Sequence, residues 1–117
     1  MKKKVSISYI AGLFDGEGCI TTSKIMKYNP IMDKRYPCTA IRMELSNTDF
    51  GLVNLCKAYF KEGHVCDIAP RKKGYKPQKR WQLTHRQVHR VLKKLLPYLR
   101  NKDKIKKAKL VMKYYEA

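Results

Sequence analysis

The sequence has few acidic residues and no long hydrophobic run. Its 117 residues carry 27 Lys and Arg against nine Asp and Glu, a formal net charge of +18. No apolar stretch approaches the roughly 20 residues that cross a bilayer. Residues 1–14 begin like a signal peptide, but Asp15 and Glu17 follow at once and no cleavage site of small residues appears. We therefore expect an intracellular, non-secreted protein without a membrane segment.

The four cysteines are spread out along the chain, and paired cysteine motifs are absent. The four cysteines form no C-x-x-C pair, which argues against a zinc ribbon or a redox motif. Nothing in the sequence indicates the oxidising compartment that disulfides need. We expect free thiols, buried or half-buried, at Cys19, Cys38, Cys56 and Cys66.

The excess of basic over acidic residues predicts an anionic partner. Residues 71–113 contain seventeen Lys and Arg and a single acid, whereas residues 1–70 contain ten basic and seven acidic residues. A solvated basic surface is the alternative, but uncompensated self-repulsion would destabilise a compact fold. A nucleic acid is therefore the expected partner. The 44% hydrophobic content suffices for a core, and the length predicts one domain over residues 1–117.

Hydrophobic periodicity predicts alternating helices and pairs of strands. A helix over residues 8–17 starts at Ser8, and one before Gly63 starts at Asn47 or Thr48. Two further helices are expected before Pro97 and over residues 103–115. The predicted strands cover residues 19–28, 37–46, 64–69 and 79–84. The order α-β-β-α-β-β-α-α indicates an α+β fold, with an antiparallel sheet covered on one face by helices.

The segment over residues 10–18, IAGLFDGEG, resembles the LAGLIDADG motif of homing endonucleases. Five of its nine positions are identical, and Glu17 stands where the motif has its last Asp. The segment PYLRNK over residues 97–102, Asn47 and the strand order also match, so the resemblance covers nearly the whole chain. It implies the αββαββα fold of this family, in which a saddle-shaped antiparallel sheet forms the DNA-binding face.

The glycine spacing has a physical meaning of its own. Gly12 and Gly16 lie four residues apart, so one helix face lacks side chains there. Each glycine costs roughly 1 kcal/mol of helix propensity, which a close helix–helix contact would offset. The alternative is a surface helix that Glu17 merely ends and whose glycines mark a turn. We expect a dimer interface formed by Gly12, Gly16 and Leu13.

The single motif copy implies, by the resemblance, a homodimer that acts on a long pseudo-palindromic DNA site. Glu17 of each subunit would bind catalytic Mg²⁺ (or Mn²⁺), with the Gly16 carbonyl as a further ligand. Water would then hydrolyse one phosphodiester in each strand, leaving short 3′ overhangs. Asn47 would orient water and Lys102 would contact the scissile phosphate. The alternative that Asn47 only caps a helix remains open. The role given to Lys102 could also belong to one of four nearby basic residues: Arg100, Lys104, Lys106 and Lys107.

The polar face of the sheet is expected to read base edges in the major groove. Its assignment on the first strand is ambiguous because Lys24 falls on the face expected to be buried. Candidates on the strands are Thr21, Ser23, Ile25, Lys27, Arg42, Glu44, His64, Cys66, Ile68, Arg80 and Gln82. Phosphate contacts, or plain solvation, are expected for the basic loop residues Arg71, Lys72, Lys73 and Lys76.

Three functions remain open. The first is a magnesium-dependent DNA endonuclease encoded in an intron or a similar mobile element, located at the DNA of cytoplasm, nucleoid or organelle. The second is a binding module on the same scaffold, either an RNA-splicing maturase that binds intron RNA or an inactive DNA-binding protein. The third is a structural RNA-binding protein, which the charge allows. Only the first gives a reason for the acid at Glu17.

Overall fold

The computed structural model describes residues 5–70 and 72–116. The predicted order α-β-β-α-β-β-α-α is confirmed. The elements are α1 (Ile7–Glu17), β1 (Gly18–Asn29), β2 (Lys34–Asn47), α2 (Phe50–Phe60), β3 (His64–Ile68), β4 (Gln78–Thr84), α3 (Arg86–Leu95), a 3-10 turn (Leu96–Tyr98) and α4 (Lys102–Glu116). None of the helices in these residues has the length and hydropathy of a membrane-spanning segment.

The four strands form one antiparallel sheet in the order β1-β2-β4-β3. Ile20 lies opposite Met43, and Leu45 lies opposite Trp81. Side chains at directly opposed positions share a face, so these four belong to one face of the sheet. All four are buried. The predicted alternation in β2 is thus confirmed, with its apolar side toward the helices.

The helices supply the other side of the core. Phe14 of α1, Val91 of α3 and Val111 of α4 are fully or almost fully buried against the apolar sheet face. Pro97 ends the regular α3 pattern, as predicted, because proline lacks the N–H that the next helical turn would need. The chain continues there through the 3-10 turn into α4. The α+β architecture, a sheet covered by helices on one face, is confirmed.

The predicted helix ends need correction. Ser6, not Ser8, caps α1, and its hydroxyl accepts a hydrogen bond from the Tyr9 N–H at 3.2 Å. Asp49, not Asn47 or Thr48, caps α2, and its carboxylate accepts from the Gly51 N–H at 3.0 Å. Several adjacent Ser, Asn, Thr and Asp residues suit a cap about equally well. The sequence therefore could not rank these neighbours.

The end of α2 also differs from the prediction. The helix ends at Phe60, and Lys61 adopts the left-handed conformation at φ 57°. Gly63 lies two residues further at φ 90°, where a Cβ atom would come within 2.7 Å of Trp81 Nε1. Gly63 is therefore needed for the close approach of the Trp81 indole, and Lys61 ends the helix.

The β1–β2 hairpin extends beyond the helices. We call its outer part, residues 22–39, the arm. Residues 22–28 are exposed on both faces of β1, and residues 34–37 are exposed in β2. At its tip, the Tyr28 hydroxyl donates to Asp33 Oδ1 at 2.6 Å, and Asn29 Oδ1 accepts from the Ile31 N–H at 3.0 Å. The hydrogen bond to Asp33 raises the pKa of Tyr28. The arm is thus held by backbone pairing and local turn contacts.

Candidate nucleic-acid interface and catalytic centre

The first helix has one buried and one open face. Ile10, Ala11 and Phe14 are fully buried in the core. Gly12 and Gly16 are exposed, and outside its own helix a Cβ atom at either position would meet no atom of the described residues within 4 Å. Tyr9 on this side is 52% exposed. We call the side formed by Tyr9, Gly12 and Gly16 the glycine face. Another backbone can approach it closely at Gly12 and Gly16, which carry no side chain.

Leu13 lies at the border of the glycine face. It is half-buried and packs against the hydrophobic core of its own chain. Of the three residues expected at a dimer contact, Gly12 and Gly16 therefore lie on the open surface, and Leu13 does so only in part.

Glu17 occupies the point where α1 meets the sheet. It is the last residue of the helix and its side chain is exposed. Gly18 follows as the first residue of β1 and lies opposite Leu45 in β2. The β1–β2 ladder begins at this pair, and β2 ends two residues later at Asn47. Glu17 and Asn47 therefore both lie at the same end of the β1–β2 ladder.

The carbonyl groups at the end of α1 differ in their partners. The Gly18 N–H donates to the Phe14 carbonyl, and the Lys104 ammonium donates to the Asp15 carbonyl. Gly16 belongs to the last four residues, whose carbonyls have no partner within the helix. The partial negative charge at a helix C-terminus also favours a cation. The Gly16 carbonyl and the Glu17 carboxylate are thus suited to bind one.

Asn47 is half-buried and partly committed to local structure. Its Oδ1 accepts a hydrogen bond from the Asp49 N–H at 2.8 Å, just before α2. The open alternative, in which Asn47 is the cap of α2, is wrong, because Asp49 takes that role. Asn47 instead fixes the turn into the helix. Within residues 5–70 and 72–116, its amide NH₂ group makes no hydrogen bond, so both donors remain available.

Lys102 begins α4 and is exposed. Among its competitors, Lys104 donates to the Asp15 carbonyl in the last turn of α1, and an ammonium has two further donors. Lys107 pairs with Asp103 at 3.2 Å, whereas Arg100 and Lys106 are exposed, like Lys102. The structure therefore brings the Lys104 ammonium to the end of α1 and leaves the choice among Arg100, Lys102, Lys104 and Lys106 open.

Asp15 joins these parts and was not anticipated from the sequence. Its Oδ2 accepts from the Arg100 N–H at 2.9 Å, and its Oδ1 accepts from the Asn101 N–H at 3.1 Å. An acid in the last turn of a helix is unfavourable for the helix dipole. That misplacement was a signal in the sequence that Asp15 needs donors from another part of the chain.

The outward face of the sheet collects the predicted DNA-contacting side chains. Opposed positions form rows across the strands, for example Thr21 with Arg42 and Glu44 with Gln82. The register places on this face all eleven strand candidates: Thr21, Ser23, Ile25, Lys27, Arg42, Glu44, His64, Cys66, Ile68, Arg80 and Gln82. Thr84, opposite Arg42, belongs to the same face and was missed because it ends its strand.

One charge contact shapes this face. Arg80 Nε lies 3.4 Å from Glu44 Oε2, but without hydrogen-bond geometry, and this buried N–H has no partner among the described residues. Glu44 thus orients the guanidinium and leaves donors for a further acceptor. The loop residues Lys72, Lys73 and Lys76 are exposed, whereas Arg71 lies outside the described residues.

The cysteines agree only partly with expectation. Cys56 is buried, and burial raises the pKa of its thiol to about 11. Cys38 and Cys66 are half-buried, but Cys19 is exposed. The expectation of a covered thiol at Cys19 is wrong because this residue lies on the outward face, opposite Glu44. All four are free thiols, as predicted.

No group of three or more His, Cys, Asp and Glu side chains that could hold a metal ion occurs within the described part of the chain. The exposed carboxylate at the end of α1 is that of Glu17. Mg²⁺ is usually bound through one or two carboxylates together with substrate phosphates.

Solved structures with this arrangement of elements are known. The homing endonuclease I-CvuI, in complex with a DNA target, superposes with a TM-score of 0.71 at 20% identity, covering 94% of this chain and 65% of its own. The LAGLIDADG homing endonuclease I-LtrWI, bound to target DNA, gives 0.71 at 12% identity over 99% of this chain and 38% of its own.

The chain has the LAGLIDADG homing endonuclease fold. The group I intron-encoded homing endonuclease I-CeuI, complexed with DNA, shares it with a TM-score of 0.66 and 16% identity over 99% of this chain and 57% of its own. The expectation of this fold is confirmed, and most of the segment that resembles the LAGLIDADG motif lies in α1. The chain spans about two-thirds of I-CvuI and less of the other two. No protein-family model and no curated protein sequence matches the chain.

Proposed function

We propose that this chain is a site-specific DNA homing endonuclease that acts as a homodimer and hydrolyses phosphodiesters with Mg²⁺ or Mn²⁺. The observation that carries the proposal is the end of α1: an open glycine face leads directly to an exposed Glu17, beside the outward face of the sheet. A binding protein needs the outward face alone. The acid at the helix end has a use only if chemistry takes place there.

The glycine face supports the homodimer. Gly12 and Gly16 each weaken the helix by roughly 1 kcal/mol, and among the described residues outside their own helix no atom lies within 4 Å of where a Cβ would stand. A second copy related by a two-fold axis would bury the same face of both helices. The two Glu17 carboxylates would then come close together. Like charges this near are unfavourable unless a cation lies between them.

The donors at this position fit a hard divalent cation. Glu17 of each subunit, the Gly16 carbonyl and phosphate oxygens of DNA would hold it, all oxygen ligands of the kind Mg²⁺ prefers. When bound, the metal would lower the pKa of a coordinated water and neutralise charge on the scissile phosphate. Asn47, with its amide NH₂ group available, would orient the water. Lys102 would bind the scissile phosphate as a positive charge.

The outward face of the sheet supports recognition of double-stranded DNA. Arg42, Arg80 and Gln82 suit guanine and adenine edges in the major groove, and Glu44 accepts from cytosine. The exposed lysines of the β3–β4 loop supply phosphate contacts. A two-fold dimer of this face would read a long pseudo-palindromic site. Cleavage of one phosphodiester per strand would leave short 3′ overhangs.

The biological setting follows from the proposed activity. The reading frame would lie in an intron or a similar mobile element, and the protein would work inside the cell at the DNA of cytoplasm, nucleoid or organelle. Contact with intron RNA is an additional possibility on the same basic surface.

Cleavage of a library of candidate sites tests the proposal directly. Wild type is expected to cut with Mg²⁺ and not with EDTA. Glu17→Gln is expected to bind its site with wild-type affinity and to lose cleavage by at least about 100-fold. The matched control is Asp67→Asn, whose side chain is 84% exposed and pairs with Lys79 at 3.7 Å. It should cut like wild type.

Two outcomes would contradict the proposal. Specific binding without cleavage by wild type would leave an RNA-splicing maturase or an inactive DNA-binding protein on the same scaffold. Loss of binding in Glu17→Gln would assign that residue a structural role. Sedimentation equilibrium on DNA decides the dimer, and a strict monomer would refute it.

A further inference from the structure

We propose that Asp15 is a positioning residue for catalysis: by tying the start of α4 to the last turn of α1, it fixes the segment that carries Lys102 relative to the helix that ends at Glu17. The inference deepens the proposed endonuclease function and rests on it. It adds a residue whose carboxylate neither binds the cation nor contacts the phosphate, yet sets the distance between two groups that do.

Three hydrogen bonds join the two elements. Asp15 uses both carboxylate oxygens, one for the Arg100 N–H at 2.9 Å and the other for the Asn101 N–H at 3.1 Å. In the reverse direction, the Lys104 ammonium donates to the Asp15 carbonyl. We call these three bonds the strap. Lys102 lies within the bonded segment, directly after Asn101 and two residues before Lys104.

The strap connects parts of the chain that nothing local brings together. Its partners are 85, 86 and 89 residues apart in sequence. Glu17 follows Asp15 by two residues, so the strap fixes the start of α4 at the level of the catalytic acid. The two acids point about 200° apart around the helix. The Asp15 carboxylate faces the start of α4, and the exposed Glu17 side chain takes no part in the strap.

The first turn of α4 is built to receive this carboxylate. Asn101 caps the helix, with its Oδ1 accepting from the Asp103 N–H at 3.1 Å and the Lys104 N–H at 3.2 Å. The Arg100 and Asn101 N–H groups, just before the helix, remain for Asp15. A carboxylate at this end also meets the positive end of the α4 dipole. This favourable contact compensates for the position of Asp15 at the negative end of α1.

Asp15→Asn is the substitution that tests the strap most directly. Its amide NH₂ cannot accept a hydrogen bond, so one of the two backbone N–H groups loses its partner while size and shape stay the same. Misplacing a catalytic group by about 1 Å can cost about 100-fold in rate. We expect the cleavage rate constant to fall by about 10- to 100-fold and the affinity for DNA to change less than about threefold. Asp15→Glu, which keeps both acceptors, should recover part of the rate.

The matched control is Asp103→Asn. It removes one charge from the same turn of α4 and touches only the exposed pair with Lys107. Its cleavage rate should stay within about twofold of wild type. A fall equal to that of Asp15→Asn would mean that local charge, not the strap, sets the rate, and would overturn the inference.

A double-mutant cycle with Lys102→Ala separates positioning from general destabilisation. If Asp15 acts through Lys102, Asp15→Asn should change the single-turnover rate less than about twofold in the Lys102→Ala background. The same fall in both backgrounds would overturn the inference and leave the endonuclease function intact.

Amide hydrogen exchange of the free protein gives a readout independent of activity. The Arg100 and Asn101 amides should be protected in wild type and lose at least about tenfold protection in Asp15→Asn, while core amides such as Leu92 keep theirs. Unchanged protection at both amides would refute the strap. A wild-type chain that cuts no DNA would instead refute the proposed function, and with it the role of Lys102 that the strap serves.

Discussion

Near the helices, the β1–β2 hairpin buries Ile20, Ile41 and Met43, whereas in the arm every residue of β1 from 22 to 28 is exposed on both faces. The backbone pairing is continuous from Gly18 opposite Leu45 to Asn29 opposite Lys34. The two halves of the hairpin therefore belong to one hydrogen-bonded ladder, but only the half near the helices contributes to the hydrophobic core. Burial fixes the register of the covered half, and the arm inherits its register through the ladder.

This difference explains why the first strand was hard to read. Lys24 lies opposite Thr39, on the same face as Ile20 and Ile41, and is nevertheless exposed. The face is apolar where helices cover it and polar where they do not. A lysine on the helix side is thus compatible with the predicted register. The outward assignment of its neighbours Ser23 and Ile25 is confirmed by the pairing.

Both faces of the arm are open to a ligand. The difference in burial between the arm and the covered half of the hairpin can be tested by replacing matched residues in each. The largest difference in stability is expected between two isoleucine substitutions. Ile41→Ala in the covered half should lower the free energy of unfolding by about 3 kcal/mol, because it opens a cavity in a closed core. Ile25→Ala in the arm should cost less than about 0.5 kcal/mol. Urea unfolding measures both, and equal costs would show that the arm is packed.

The next largest difference is expected in thiol reactivity, between a cysteine of the arm and a cysteine of the hydrophobic core. Cys56 lies on the buried face of α2, and its pKa of about 11 leaves roughly 100-fold less thiolate at pH 8 than a thiol with the ordinary value of 9.0. Cys38 of the arm is half-buried. We expect iodoacetamide to label Cys38 at least about 100-fold faster than Cys56 in the folded protein, as measured by peptide mass spectrometry. Comparable rates would mean that α2 opens readily.

The same pKa predicts how alkali acts on the fold. Because folding raises the pKa of Cys56, the folded state favours the protonated thiol. This contribution to stability is fully present below pH 9 and is lost as the pH rises through about 11. Cys56→Ala should reduce the decline of the unfolding free energy over this interval. An unchanged decline would assign it to other groups.

The smallest effect concerns the two faces of the arm. Lys27 lies on the outward face and Lys24 on the helix side, three residues apart on one strand. If DNA lies on the outward face, Lys27→Ala should weaken binding by about 1 kcal/mol and reduce the salt dependence by about one phosphate contact. Lys24→Ala should leave both nearly unchanged. Fluorescence anisotropy at several salt concentrations would decide, and equal losses would place DNA on both faces.

Much of the candidate site could be predicted because its signals are local. The glycine pair, the acid that follows it and the alternation of Ile41, Met43 and Leu45 each depend on residues within one helical turn or a few positions of a strand. The caps at Ser6 and Asp49 were missed for the opposite reason. Neighbouring residues suit a cap almost equally well, and the choice depends on where packing starts the helix.

The sequence by itself determined the order of elements, the apolar side of the sheet and the acid at the end of an open helix face, because periodicity and residue type act over a few positions. Only the tertiary structure decided that Lys104 turns toward α1, that Asp15 holds the segment containing Lys102, and that the helices leave most of the arm uncovered. These contacts join residues more than 80 positions apart. They form only when the whole core has set the relative placement of its elements, which no local pattern specifies.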